Sequence, residues 1–294
     1  MSKATLDPHT AAVARPGHRG FKIDPTAALA LPAVLYLVAA YAIPLAILLF
    51  AAFRTPEGLS LANFAGFFAD AYNWQVTYNT LWSAGMSTLA CLVIGYPTAV
   101  ALARSRGVVQ MALLVSLILP LSVGVVVKAF AWTIMLRTNG ILNQALLGIG
   151  LIDAPLRLLF TPTGLVIGAV NVFLPFMILP IYSVLRLVDA RLPEAAATLG
   201  AGPVYRFFHV LLPLTLPGII AGVAFVFSLT VSMYVVPNLL MGEQFMTLPR
   251  LVARSYLYFR NEALGSTIAV ILLVIAVAVV MGSQYLIRLT RHET

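Results

Sequence analysis

The chain has 294 residues, 61% of them hydrophobic and 10% charged, with a mean hydropathy of +0.97. A soluble domain carries about a quarter charged residues, so this composition excludes an ordinary soluble enzyme or binding module and points to a membrane protein. The net charge of +8 is not gathered into the dense basic patch of a nucleic-acid-binding surface. It fits basic residues facing anionic lipid on one side of a bilayer, so membrane lipid is an expected partner and nucleic acid is not.

Charges divide the chain into six uncharged stretches: Asp24 to Arg54, Asp70 to Arg104, Arg106 to Lys128, Arg157 to Arg186, Arg206 to Glu243 and Glu262 to Arg288. Between the bounding charges lie 21 to 36 residues, and a helix needs roughly 20 apolar residues to cross the hydrocarbon core. A helix also satisfies its own backbone hydrogen bonds in lipid, which favours helices over barrel strands for runs this long.

In chain order, residues 1–24 are read as a polar cytoplasmic tail, too long and mixed for the n-region of a signal peptide, and the apolar run after them exceeds a signal h-region. Residues 25–290 then make a single, all-α transmembrane domain. Its six helices lie near residues 27–52, 78–103, 109–135, 163–187, 209–236 and 265–288. Cys91, the only cysteine, falls in the second span as a small packing residue with no disulfide partner. Lys128 is the one ionisable side chain well inside a span, the third. A charge buried in a membrane is a functional candidate by default; the competing reading is that it snorkels to a surface or pairs with backbone carbonyls.

Between the third and fourth spans, Gly140 to Gly148 carries apolar residues at helical spacing, which predicts a short amphipathic helix on the outer surface. A second is predicted from Thr247 to Tyr256, where Leu248, Leu251 and Val252 share one helical face. Orientation follows from the basic residues. Six spans put both termini and the 189–213 connection on one side, with eleven Lys and Arg residues against six on the other and Lys128 inside a span. Positive residues stay in the cytoplasm, so that side faces in.

The connection between spans four and five is the most informative segment. Pro193 suits the first position of a helix, Glu194 follows in the first turn and complements its positive end, and Ala195, Ala196 and Ala197 are strong helix formers whose small side chains let another surface approach. Gly200 ends that turn in a conformation other residues resist. Gly202-Pro203 restarts a helix through Tyr205, Arg206, Phe207 and Phe208, and Val210-Leu211-Leu212-Pro213 leads into span five. Two short helices joined at Gly200, with an alanine face and an aromatic knob, are expected.

The spacing Glu-Ala-Ala-x3-Gly-x9-Val-x-Leu-Pro resembles the cytoplasmic signature loop of the membrane-spanning subunits of bacterial ABC importers. The one departure is Val210, where that family often has isoleucine. The resemblance implies the type I importer permease fold, with Glu194, Ala195, Ala196, Gly200, Tyr205, Arg206, Val210, Leu212 and Pro213 in a coupling loop. It also implies a second homologous permease, two ATP-binding subunits and a periplasmic substrate-binding protein as partners, and the bacterial inner membrane as location.

A second layer is similar to the permeases of spermidine/putrescine-type importers: Lys128-Ala129-Phe130-Ala131-Trp132, Gly140-Ile141-Leu142-Asn143, Leu174 to Pro180 and Tyr234 to Gly242. That branch includes relatives for opines, phosphonates, iron and thiamine, so the cargo stays open. Lys128, Trp132, Asn171, Pro175, Met233 and Tyr234 are candidates to line a path, although Trp and Tyr are equally typical of interfacial anchoring.

None of the three lysines (Lys3, Lys22, Lys128) follows a glycine and precedes Ser or Thr, which excludes a phosphate-binding Walker A loop. The chain is therefore no enzyme and binds no cofactor of its own; ATP and Mg are expected in the partner ATPase. The four histidines lack metal-ligand spacing. The alternative is an ion-coupled secondary transporter. Such carriers place carboxylates within the membrane, and the predicted spans contain no Asp or Glu. The same lack bears on cargo: a multiply charged amine wants carboxylates and aromatic faces, so either its affinity resides in a separate binding protein or the cargo is anionic or zwitterionic.

Overall fold

The computed structural model describes residues 25–189 and 191–291; the expected tail at 1–24, and Ala190 within the signature connection, lie outside them. The chain divides into two units, Met1–Ile47 and Leu48–Thr294. The first is described from Pro25 onward, and it is wholly helical: α1 (Pro25–Phe53) is an apolar helix containing Pro32 and Pro44.

The second unit begins with the end of α1 and a minimal hairpin, β1 (Arg54–Thr55) against β2 (Gly58–Leu59). Helices follow as α2 (Ala62–Ala69), α3 (Ala71–Arg104), α4 (Gly107–Ile118), α5 (Val125–Met135), α6 (Ile141–Gly148) and α7 (Pro162–Leu185). After these come α8 (Arg191–Thr198), α9 (Pro203–Arg206), α10 (Leu212–Val231), α11 (Val235–Leu240), α12 (Leu248–Leu257) and α13 (Glu262–Arg291).

Among the described residues, five helical segments are long and apolar enough to cross a membrane: Leu31–Phe53, Ala71–Arg104, Pro162–Leu185, Pro203–Val231 and Glu262–Arg288. The third expected span differs. Gly107–Ser122 and Val125–Met135 meet at a bend of 100°, so they make a sixth crossing only as a broken span. The cause is local. Pro120 lacks the N–H that a helix interior needs, α4 tightens into a 3₁₀ turn over Leu119–Ser122, and Gly124 stands extended at the start of α5. Hydropathy is blind to such a break because the residues around it stay apolar. Lys128 consequently sits in the first turns of α5, half-buried, and not in the middle of a continuous helix. Span five also departs from 209–236: the helical run ends at Val231, and Val235–Leu240 is a separate helix.

The core lies where α3, α7 and α10 pack on one another. Met177 is its hub. A Cβ on Gly95 of α3 would stand 3.0 Å from Met177 Cγ, and one on Gly222 of α10 would stand 2.9 Å from Met177 Sδ. Small residues here let three apolar helices approach closely, which matters in lipid, where burial of apolar surface supplies little drive between helices. Tyr96 Oη and Thr215 Oγ1, 3.1 Å apart, tie α3 to α10. A second apolar cluster joins Phe67, Val76, Leu248, Leu251 and Ile268, bringing α2, α3, α12 and α13 together at the end of α10 remote from residues 189–213.

Candidate functional site

The 191–213 segment folds as a helical hairpin. Asp189 Oδ1 accepts from Arg191 N at 2.9 Å and so caps α8. At the other end Gly200 has φ +86°, Gly200 N donates to Ala197 O at 3.0 Å, and Ala201 N donates to Ala196 O at 3.0 Å. This pair of bonds is a Schellman closure, which needs a residue at ease in the left-handed region, and glycine, without a Cβ, enters that region at no steric cost. Pro203 opens α9 behind an extended Gly202. The backbone then widens into a π-helical turn over Phe207–Leu211 before α10 begins at Leu212.

That turn sorts the aromatic side chains. Phe207 faces inward, its ring 5.5 Å from Tyr96 in an edge-to-face contact. Tyr205 stacks on His209 at 4.0 Å, and Tyr205 and Phe208 stay exposed with Leu199 and Val204. The expected knob is therefore Tyr205 and Phe208, with Phe207 as its root in the core. Ala195 and Ala197 are exposed, Ala196 and Val210 are half-buried, Leu212 packs on the core, and Pro213 is exposed in the first turn of α10. The hairpin thus exposes two of its alanines and five large apolar side chains, Leu192, Leu199, Val204, Tyr205 and Phe208, and anchors itself through Phe207 and Leu212. A free face of that kind is suited to receiving another protein.

Beside the hairpin lies a recess of about 550 Å³ lined by Arg104, Arg186, Arg206, Asp189 and Glu194 among others. Arg104 ends α3 and Arg186 caps α7, where positive charge complements the helix ends. The Arg206 Nε–H is buried and has no acceptor.

The pathway candidates divide. Lys128 and Trp132 are on α5, Asn171 and Pro175 on α7, and Met233 and Tyr234 in the break before α11, and these three helices pack on one another. Pro175 and Met233 are buried within this chain, Lys128 and Trp132 are half-buried, and Asn171 and Tyr234 are exposed. Tyr234 also lines a second recess, of about 480 Å³, at the far end of α10.

Arg250 of α12 lines that recess too, although the sequence alone marks it only as a basic residue of an outward connection. It is buried, and its Nη1 donates to Gly242 O and Phe245 O. Burial pulls its pKa below the ordinary guanidinium value, against the opposing pull of Tyr234 and Glu243. The signal that could have found it is its place between Leu248 and Leu251 on an amphipathic helix. Asn143 is likewise a structural lock that its sequence context does not reveal: its side chain donates to Arg137 O and Leu156 O and accepts from Leu156 N, organising the 137–160 connection. Among the described residues no His, Cys, Asp and Glu cluster could hold a metal ion.

Residues 92–290 match the family model described as the binding-protein-dependent transport system inner membrane component. The spermidine/putrescine transport system permease protein PotB of Haemophilus influenzae is 37% identical over 212 residues, covering 72% of this chain and 74% of that protein. PotB of Escherichia coli is 36% identical over 218 residues, covering 74% and 78%. Among solved structures, that of a bacterial ABC transporter importing the acidic polysaccharide alginate aligns with TM-score 0.73 at 18% identity, over 89% of this chain and 94% of that one. The MetNI methionine ABC transporter aligns with TM-score 0.54 at 18% identity, over 74% and 96%. The chain therefore belongs to the binding-protein-dependent transport system inner membrane components: it is a multi-pass inner-membrane permease subunit of an ABC importer, a transport component that works with an ATPase and a substrate-binding protein.

Proposed function

We propose that this chain forms half of a translocation pathway for a small polar organic solute of the polyamine type, paired with a second homologous permease and driven by two ATPase subunits. ATP and Mg are held by those subunits and none by this chain. Residues 191–213 are the docking hairpin, on the cytoplasmic side with both termini, as the excess of basic residues on that side supports. The observation that carries the reading is the hairpin itself: a Schellman-closed α8 beside α9, with Leu199, Val204, Tyr205 and Phe208 exposed and Phe207 rooted against Tyr96.

Each motif residue has a part in that hairpin. Glu194 meets the ATPase, Ala195 and Ala196 permit close approach, and Gly200 closes the turn. Tyr205 adds a contact face, Arg206 a charge, and Val210, Leu212 and Pro213 pass displacement into α10. The pathway is assigned to the seam of α5, α7 and α11, with Lys128, Trp132 and Asn171 as its polar or flat lining, Pro175 and Met233 shaping it, and Tyr234 at its outer end. Polyamine-type cargo is supported by the similarity to permeases named for spermidine and putrescine.

Proteoliposomes holding the full complex, loaded with ATP and given binding protein and labelled putrescine or spermidine, test the reading. Uptake should need internal ATP and survive an uncoupler. Uptake that collapses with the proton gradient and ignores ATP would favour the ion-coupled carrier, and ATP-driven uptake of a different solute would correct the cargo alone.

A further inference from the structure

Three guanidiniums gather at the root of the hairpin. Arg104 ends α3, Arg186 caps α7 and Arg206 ends α9, and all three line the recess of about 550 Å³. Arg104 and Arg206 also line a neighbouring recess of about 360 Å³, which shares Val100 and Leu211 with the first. Among the described residues none of the three side chains makes an ion pair or a hydrogen bond; Arg186 rests on the Tyr182 ring at 5.8 Å, and the buried Arg206 Nε–H has no acceptor. Like charges around one space repel one another, and an unmet buried donor is costly.

The chain's own carboxylates do not balance them. Asp189 caps α8 through Oδ1 and keeps one oxygen for a guanidinium, while Glu194 is assigned to the ATPase. Two guanidiniums are then left without a counter-charge. Helix ends explain positive charge at α3 and α7, and long side chains there reach water unaided. Neither effect accounts for Arg206, because α9 passes through the π-helical turn into α10 without a free end.

Apolar surface leads up to the same place. Val93, Pro97, Val100 and Arg104 follow one another at helical spacing on α3. Val93 and Pro97 are exposed and Val100 is half-buried, so an apolar stripe of a membrane span ends at the arginines. Positive charge at the end of a hydrocarbon-facing stripe matches the layout of an anionic phospholipid.

We propose that the recess holds the phosphate of an anionic phospholipid of the inner leaflet, gripped by Arg104, Arg186 and Arg206, with an acyl chain along the Val93–Val100 stripe. Guanidinium and phosphate form paired, charge-assisted hydrogen bonds, and basic pockets between membrane helices on the cytoplasmic side take such headgroups. The bound phosphate ties the ends of α3 and α7 to α9 and so stiffens the root of the hairpin, which makes coupling depend on anionic lipid. The inference rests on the reading that this end of α10 faces the cytoplasm, and it leaves Glu194 to the ATPase.

The complete complex in nanodiscs tests the site. Phosphatidylglycerol with a photoreactive acyl chain should label α3 within residues 93–100. Labelling should fall about fivefold in Arg104→Gln/Arg206→Gln and stay near wild type in Arg104→Lys/Arg206→Lys, which keeps the charge and controls for folding. Binding-protein-stimulated ATP hydrolysis should be about threefold lower in phosphatidylcholine alone than with phosphatidylglycerol present. Arg104→Gln/Arg186→Gln, which leaves the hairpin sequence untouched, should abolish that ratio while the ATPase stays bound. Absent labelling, labelling indifferent to the glutamine variants, or a lipid ratio that survives in Arg104→Gln/Arg186→Gln would each overturn the site. Inorganic phosphate that restores hydrolysis in phosphatidylcholine would overturn the lipid as its source. Loss of the ATPase from the wild-type complex on purification would refute the docking reading instead, and the labelling, which needs no ATPase, would still decide the lipid site.

Discussion

Glu194 and Lys128 are the charges on which the account depends most at the scale of single residues. Glu194 stands in the first turn of α8, where a carboxylate favours the helix, and it borders both the free face of the hairpin and the arginine recess. Glu194→Lys should repel a docking partner and invert the helix-end interaction, together costing a few kcal/mol, whereas Glu194→Gln should keep most of the coupling. ATPase co-purification and uptake for the two variants check this; wild-type values for Glu194→Lys would remove the residue from docking. Lys128 sits near the start of α5, where a positive charge opposes the helix dipole, so helix stability does not explain it. Lys128→Met should leave assembly intact and change uptake by about threefold or more, as expected of an ionisable group retained inside a membrane. Unchanged uptake would return it to packing. The motif residues were legible in the sequence because they are local. The arginine recess was not, since residues 104, 186 and 206 meet only through tertiary packing.

Among the elements, the two surface helices were readable from apolar spacing and formed as α6 and α12, while the bend at Pro120–Gly124 was hidden inside an apolar run. The π-helical turn at 207–211 has no composition of its own and was likewise unread; it matters because it turns Phe207 inward and leaves Tyr205 and Phe208 outside. Gly200→Val tests the hairpin as a unit. A β-branched residue at φ +86° is strained by about 1–3 kcal/mol, enough to open the Schellman closure. Stimulated ATP hydrolysis should fall while the subunit still inserts, and wild-type stimulation would deny Gly200 its place as the hinge. Gly222→Leu tests the core by contrast. Its new side chain meets Met177 Sδ and Met177 O, and overpacking of about 1–3 kcal/mol should lower the thermal stability of the detergent-solubilised protein. An unchanged melting temperature would mean that α7 and α10 have slack at this seam.

At the scale of the whole molecule, hydropathy located five of the six expected crossings as continuous helices, because lipid demands long apolar helices, and the third only as a bent pair; the signature spacing placed the hairpin between two of them. Which end of α10 meets the ATPase is the claim on which the functional account turns, and the two ends are well separated: 20 residues of helix rise about 30 Å. Cys91 is the only cysteine and is buried, so introduced cysteines can be cross-linked singly. In the assembled complex, a cysteine replacing exposed Ala197 in α8 should cross-link to the ATPase subunit, and one replacing exposed Tyr258 beside the far-end recess should not. A cross-link to the ATPase from position 258, with none from 197, would contradict the account.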